Sequence, residues 1–155
     1  MAGNIVYGTW NQAQRDDVLE TLEIIEDHLH KPTSTYPLLA GSVQLVKDGG
    51  AWAALPAPTE VIPAATVSDI FDIHWISISA ISANGEYIIA LYSGAGGSEV
   101  LIAQVPVTRN AVQSQEGSVQ VITPRMAAGT RISAALSSGN AGADTVNIKV
   151  SYHEY

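Results

Sequence analysis

The chain has 155 residues, 46% of them hydrophobic and only 14% charged, and it contains no cysteine. That length can bury one core without disulfides or metals as staples, and the missing cysteines exclude thiol catalysis, Cys-ligated zinc and a disulfide scaffold. Seven basic against fifteen acidic residues give a formal net charge of -8. The basic residues stand singly along the chain, so nucleic acid and anionic membrane are poor partners.

The first residues lack a basic stretch followed by an apolar one, and no apolar run approaches the roughly 20 residues of a bilayer span. A soluble chain without an export signal is therefore expected. The opening arm carries Ile5, Val6, Tyr7 and Trp10, apolar residues with no evident place in a core. They are candidates for docking on a partner, because terminal segments often order on binding. The alternative is that the arm covers the chain's own domain.

Residues 16–30 read as a helix: they contain no Gly or Pro, and Val18, Leu22, Ile25 and Leu29 recur at spacings of four, three and four. Asp16 and Asp17 favour its N-terminal end and His28, His30 and Lys31 its C-terminal end. Asn11 or Asp16 can cap it, and Pro32 marks the stop. The apolar stripe either packs on the chain's own domain or forms a short coiled coil between identical subunits. Two heptads are marginal alone, so a coiled coil needs support from contacts between the attached domains. The seam leaves the number of subunits open.

Residues 32–42, rich in Pro, Ser and Thr, read as an extended linker. Beyond it the spacing predicts strands over 43–46, 60–62, 71–81, 86–92, 99–107, 118–122, 131–136 and 145–152. Alternation is cleanest in the last, where Val146, Ile148, Val150 and Tyr152 share one face, and Leu101, Ala103, Val105 and Val107 repeat it. Asn84-Gly85 suits a two-residue hairpin joining Ile81 to Tyr87, with Trp75 and Tyr87 as core or cross-strand partners. Eight short strands without intervening helices predict a mainly β fold, an antiparallel β-sandwich or jelly roll with a short N-terminal α-helix. The organisation is then an arm and helix over 1–31, the linker over 32–42 and the sandwich over 43–155.

Chemistry-bearing motifs are sparse. His28 and His30 point to different helix faces and cannot share a metal. Asp72 and His74 share a strand face; a structural hydrogen bond is the ordinary reading of that pair, and a triad or metal site the sharper one. His153 lacks a partner evident in the sequence. There is no Gly-x-Ser-x-Gly, and the glycines at 94–97 precede no helix that could cradle phosphate. No catalytic, cofactor-binding or metal site is assigned. Trp10, Trp52, Trp75, Tyr87 and Tyr92 could supply a sugar platform, which keeps a carbohydrate-binding module open.

Several phrases carry a resemblance: His30-Lys31-Pro32, Tyr36-Pro37, Glu60-Val61-Ile62-Pro63-Ala64, Phe71-Asp72-Ile73-His74 and Ser82-Ala83-Asn84. Further along stand Leu91-Tyr92-Ser93-Gly94, Ser98-Glu99, Gly129-Thr130-Arg131-Ile132-Ser133-Ala134 and Val150-Ser151-Tyr152-His153. In these the chain resembles a family of small virion structural proteins of tailed phages and prophages, of the capsid-decoration or head-fibre type. The resemblance implies a β-sandwich subunit that forms a homotrimer, with the major capsid protein as partner; the helix stripe Val18, Leu22, Ile25 and Leu29 is then the candidate seam. It implies a place on the capsid surface after synthesis in the host cytoplasm and carries over no site; the apolar arm residues Ile5, Val6, Tyr7 and Trp10 are then the candidate capsid contacts. The missing Cys and the poorly spaced His lead to the expectation of no metal or cofactor. A tail or baseplate adhesion module is the neighbouring alternative.

Overall fold

The computed structural model describes residues 12–30, 32–38, 41–52, 55–112, 114 and 116–155, with backbone alone over 23–30. The arm residues Ile5, Val6, Tyr7 and Trp10 lie outside this set, as do the side chains of Ile25, His28, Leu29 and His30. The chain divides into two compact units, Met1–Lys31 and Pro32–Tyr155.

In the first unit, helix α1 spans Gln12–His30. It begins four residues before the predicted start; Asn11, the other candidate cap, lies outside the described residues. Asp16 and Asp17 consequently sit beyond the first turn, where Gln12 Nε2 donates to Asp16 Oδ1 at 2.7 Å. Every described side chain of α1 is exposed, including Val18, Leu19 and Leu22.

The second unit is an antiparallel β-sandwich with nine strands among the described residues: β1 Ser34–Tyr36, β2 Val43–Val46, β3 Thr59–Ile62, β4 Phe71–Ser79, β5 Gly85–Ser93, β6 Val100–Arg109, β7 Gly117–Gln120, β8 Ile132–Ser138 and β9 Thr145–Glu154. One sheet runs β1-β9-β4-β7, with β2 also paired to β9; the other runs β3-β8-β5-β6. β1 pairs with Val150 to Tyr152, and β2 with Thr145 to Ile148. The two therefore form one interrupted edge strand, and the stretch read as linker contributes to the sheet. Counting them as one gives the strand order of an eight-stranded jelly roll, the chain crossing between sheets at most connections.

That topology overturns the predicted hairpin. β4 is flanked by β7 and β9, whereas β5 lies in the other sheet beside β6 and β8, so Asn84-Gly85 is a crossover between sheets. Glycine at 85 leaves room for the Asn140 amide: a Cβ there would meet that side chain at 2.7–3.0 Å and push it aside.

The core forms between the inward faces. Ile76, Ile78, Tyr87, Ile89, Leu136 and Ile148 are among its fully buried members. β9 keeps its predicted alternation as far as Val150, beyond which Ser151 and His153 on the opposite face are buried as well. β6 does not: a bulge opposite Leu91/Tyr92 leaves Val105 and Val107 buried but turns Leu101 into solvent. At the β5–β6 end, Arg131 links β3 to the β5–β6 loop, its Nε donating to Glu60 Oε2 at 2.8 Å and its Nη1 to Glu99 Oε1 at 3.1 Å.

Candidate functional site

The outward face of β4 carries the most organised chemistry. A regular strand alternates in and out, and β4 begins that way with Phe71 and Ile73 buried and Asp72 outward. Alternation would next bury Trp75. Instead the register against β9 slips between Ile73, opposite Tyr152, and Trp75, opposite Ser151. His74 and Trp75 therefore both point outward, with side-chain exposure of 35% for His74 and residue exposure of 39% for Trp75, between Ile73 and Ile76 at 0%. The expectation of Trp75 as a core or cross-strand partner of Tyr87 is thus corrected; only Tyr87 is in the core. The bulge is held from the β7 side, where Val121 N–H donates to the His74 carbonyl at 2.9 Å and Ile73 N–H to Thr123 Oγ1 at 2.9 Å.

Asp72 and His74 share a face, as the period-two reading expects. The β4–β9 register adds His153 opposite Asp72. The rings of His74 and His153 stack at 5.5 Å between centroids and 11° between planes. Tyr155 meets His153 edge-on at 4.8 Å, and Arg125 sits 3.6 Å over the Tyr155 ring. The Tyr155 hydroxyl donates to Asp72 Oδ2 at 2.6 Å. Burial, reinforced by that carboxylate, raises the Tyr155 pKa, so the phenol keeps the proton it donates.

His74 Nε2 lies 2.8 Å from Asp72 Oδ1, yet its N–H is not aligned on that oxygen, which is buried without a hydrogen-bond donor among the described residues. The pair is an electrostatic contact and not the directed bond by which a carboxylate orients a catalytic imidazole. The parallel stack aims neither ring at a common point. Among the described residues, no group of three or more His, Cys, Asp or Glu has metal-holding geometry.

A second polar cluster was not legible from sequence. Lys47, one residue past β2, is only 3% exposed; its Nζ donates to the backbone carbonyls of Asn140 and Gly142. Beside it, buried Asp144 Oδ2 accepts from Tyr87 Oη at 3.2 Å, Ser138 Oγ at 3.1 Å and Asn140 Nδ2 at 2.6 Å. Burial first, and then the Asp144 charge, raise the Tyr87 pKa. This network locks the β8–β9 loop to the crossover before β5, since Asn140 Nδ2 also donates to the Asn84 carbonyl at 2.9 Å. It is scaffold chemistry, buried at Asp144 and Ser138 and reaching the surface at Asn140 and Asn84.

Two apolar surfaces remain. An open groove of about 430 Å³ runs between edge strands β6 and β7, lined by Ile102, Pro106, Val119 and Ile122 among others. On α1, Leu22 is 53% exposed and Leu19 57%. Trp52 is half exposed and lies against Gly139, where a Cβ would meet its indole at 3.3 Å. Compared with protein-family models and with curated proteins, the chain matches none.

Proposed function

We propose that this chain is a non-enzymatic structural protein of a tailed-phage virion, a homotrimer that decorates the outer capsid surface. The single observation that carries self-association is the exposed apolar side of α1, where Val18, Leu19 and Leu22 face solvent. Such a stripe on a 19-residue helix calls for a partner helix, because packing rather than propensity stabilises helices of that size. Support for a structural role comes from the sandwich, whose core is closed and whose one Asp–His pair lacks directed geometry. The virion setting and the count of three rest on the sequence resemblance.

On this reading the seam is Val18, Leu22, Ile25 and Leu29, and the capsid contacts are Ile5, Val6, Tyr7 and Trp10 of the arm. A trimer engaging three equivalent sites on the major capsid protein gains avidity of roughly 10² to 10⁴ over one contact. The low surface charge keeps the desolvation cost of docking small. The test is to mix the full chain, and a form lacking residues 2–10, with undecorated capsids. Saturable binding of the full chain that is lost on deletion is expected. Equal binding by both forms refutes the arm as anchor, and no binding by the full chain refutes decoration.

A further inference from the structure

We propose that the outward face of β4 around Trp75 is a binding site for a neutral hexopyranose. The site is independent of oligomeric state and of any capsid. Its origin is the bulge: one inserted residue turns two consecutive side chains, His74 and Trp75, to the same side of the sheet. Bulges re-aim side chains in this way, most often beside functional sites. A regular strand would have hidden the indole in the core, where an apolar ring is most stable.

The surroundings of the indole specify the ligand. Trp75 stands directly opposite Gln120 on one side and Ser151 on the other, and directly opposed Cβ atoms lie about 4.5–5.5 Å apart. Two residues along, Ser77 and Ser118 share a hydrogen bond at 3.0 Å on the same face. A flat apolar ring is thus flanked by a carboxamide on one strand and a hydroxyl on the other, with the Ser77–Ser118 pair and the His74 imidazole on the same face. The apolar C–H face of a hexose would stack on the indole while its hydroxyls meet Gln120, His74 and the serines. Gln120, Ser151, Ser77 and Ser118 cannot ionise; Lys149, opposite Ser77, adds a single cation to this face, against a chain whose net charge of -8 disfavours an anionic sugar. Open, rigid and without a deep cavity, such a site holds a single sugar with a Kd of about 1 mM.

The experiment is an NMR titration of the full chain, following the three indole N–H resonances against the methyl glycosides of glucose, galactose and mannose, with N-acetylneuraminic acid as the charged comparison. At least one neutral glycoside is expected to move the Trp75 resonance saturably while leaving that of Trp52 in place. Gln120→Ala should weaken that binding roughly fivefold, the effect of one neutral hydrogen bond. Trp75→Ala should abolish it with the Trp52 resonance unchanged, which certifies the fold. The proposal is overturned if no neutral glycoside gives a saturable shift at about 50 mM, well above the affinity such a site should have. It is equally overturned if the charged sugar binds better, or if binding persists in Trp75→Ala.

Discussion

Replacing Asp144 by alanine gives the sharpest test of what holds the β8–β9 loop in place. The carboxylate is buried, and its Oδ2 accepts three donors, from Tyr87, Ser138 and Asn140. Two of these have a second acceptor: Tyr87 Oη also reaches the Ala83 carbonyl at 2.7 Å, and Asn140 Nδ2 the Asn84 carbonyl. The buried Ser138 hydroxyl has no other acceptor among its described contacts. A stranded buried donor costs about 1–3 kcal/mol, and each bond to a charged acceptor contributes about 1.5–3 kcal/mol before the carboxylate's own desolvation is recovered. The net loss for Asp144→Ala is therefore about 3 kcal/mol. With a urea m-value near 2 kcal/mol/M for a chain of this size, the midpoint falls by about 1.5 M. Tyr87→Phe should cost only about 1 kcal/mol, because one neutral hydroxyl is removed and two donors remain on the carboxylate. The assay is urea unfolding followed by tryptophan fluorescence at one fixed protein concentration, since self-association would otherwise shift the midpoint. The double variant should fall short of additivity. A loss below about 0.5 kcal/mol for Asp144→Ala, within the range of ordinary surface changes, would refute the network as a stabilising lock.

Three further outcomes are expected. Ile89→Ala removes a fully buried side chain where the two sheets meet and should cost about 3 kcal/mol by cavity formation, measured in the same urea assay. The Glu99 carboxyl is held below its ordinary value of 4.5 first by its own backbone N–H, with the Gly97 N–H and Arg131 adding to it. Its stabilisation is thus complete above that pH and fades as pH falls through the depressed value. Glu99→Gln should flatten the acid limb of a stability–pH profile below pH 4.5 and leave its alkaline limb alone. The double change Leu22→Asp with Ile25→Asp should reduce the proposed trimer to monomers by sedimentation equilibrium while near-UV circular dichroism of the sandwich is retained; a trimer that survives the change would remove α1 as the seam.

Residue pattern revealed the strands and misplaced some of their partners. β9 announced itself because its inner face, Val146 to Tyr152, alternates without interruption. β6 and β4 each carry a bulge, which reverses the inside–outside parity that alternation relies on, so Leu101 and Trp75 were assigned to the wrong environment. Asn84-Gly85 has the chemistry of a tight hairpin. Turn chemistry fixes only the local reversal, however, and the choice between pairing with β4 and crossing to the second sheet is made by core packing far away in sequence. β1 was missed because three residues among Pro, Ser and Thr carry no period. Within the candidate site, Asp72 and His74 were visible as an i, i+2 pair. His153, Tyr155 and Arg125 were not, because they join the pair through the β4–β9 register and the segment following β7. Lys47 gave no signal, since a lysine reads as solvated until loop carbonyls close over it.

The most direct test of the proposed virion role is the protein content of phage particles purified from cells that produce this chain, quantified by mass spectrometry relative to the major capsid protein. The account predicts the chain in the particles in stoichiometric amount, and particles that still assemble without it but lose their DNA at lower temperature. Its absence from purified particles, with the chain confined to the infected-cell lysate, would contradict the assignment to the virion.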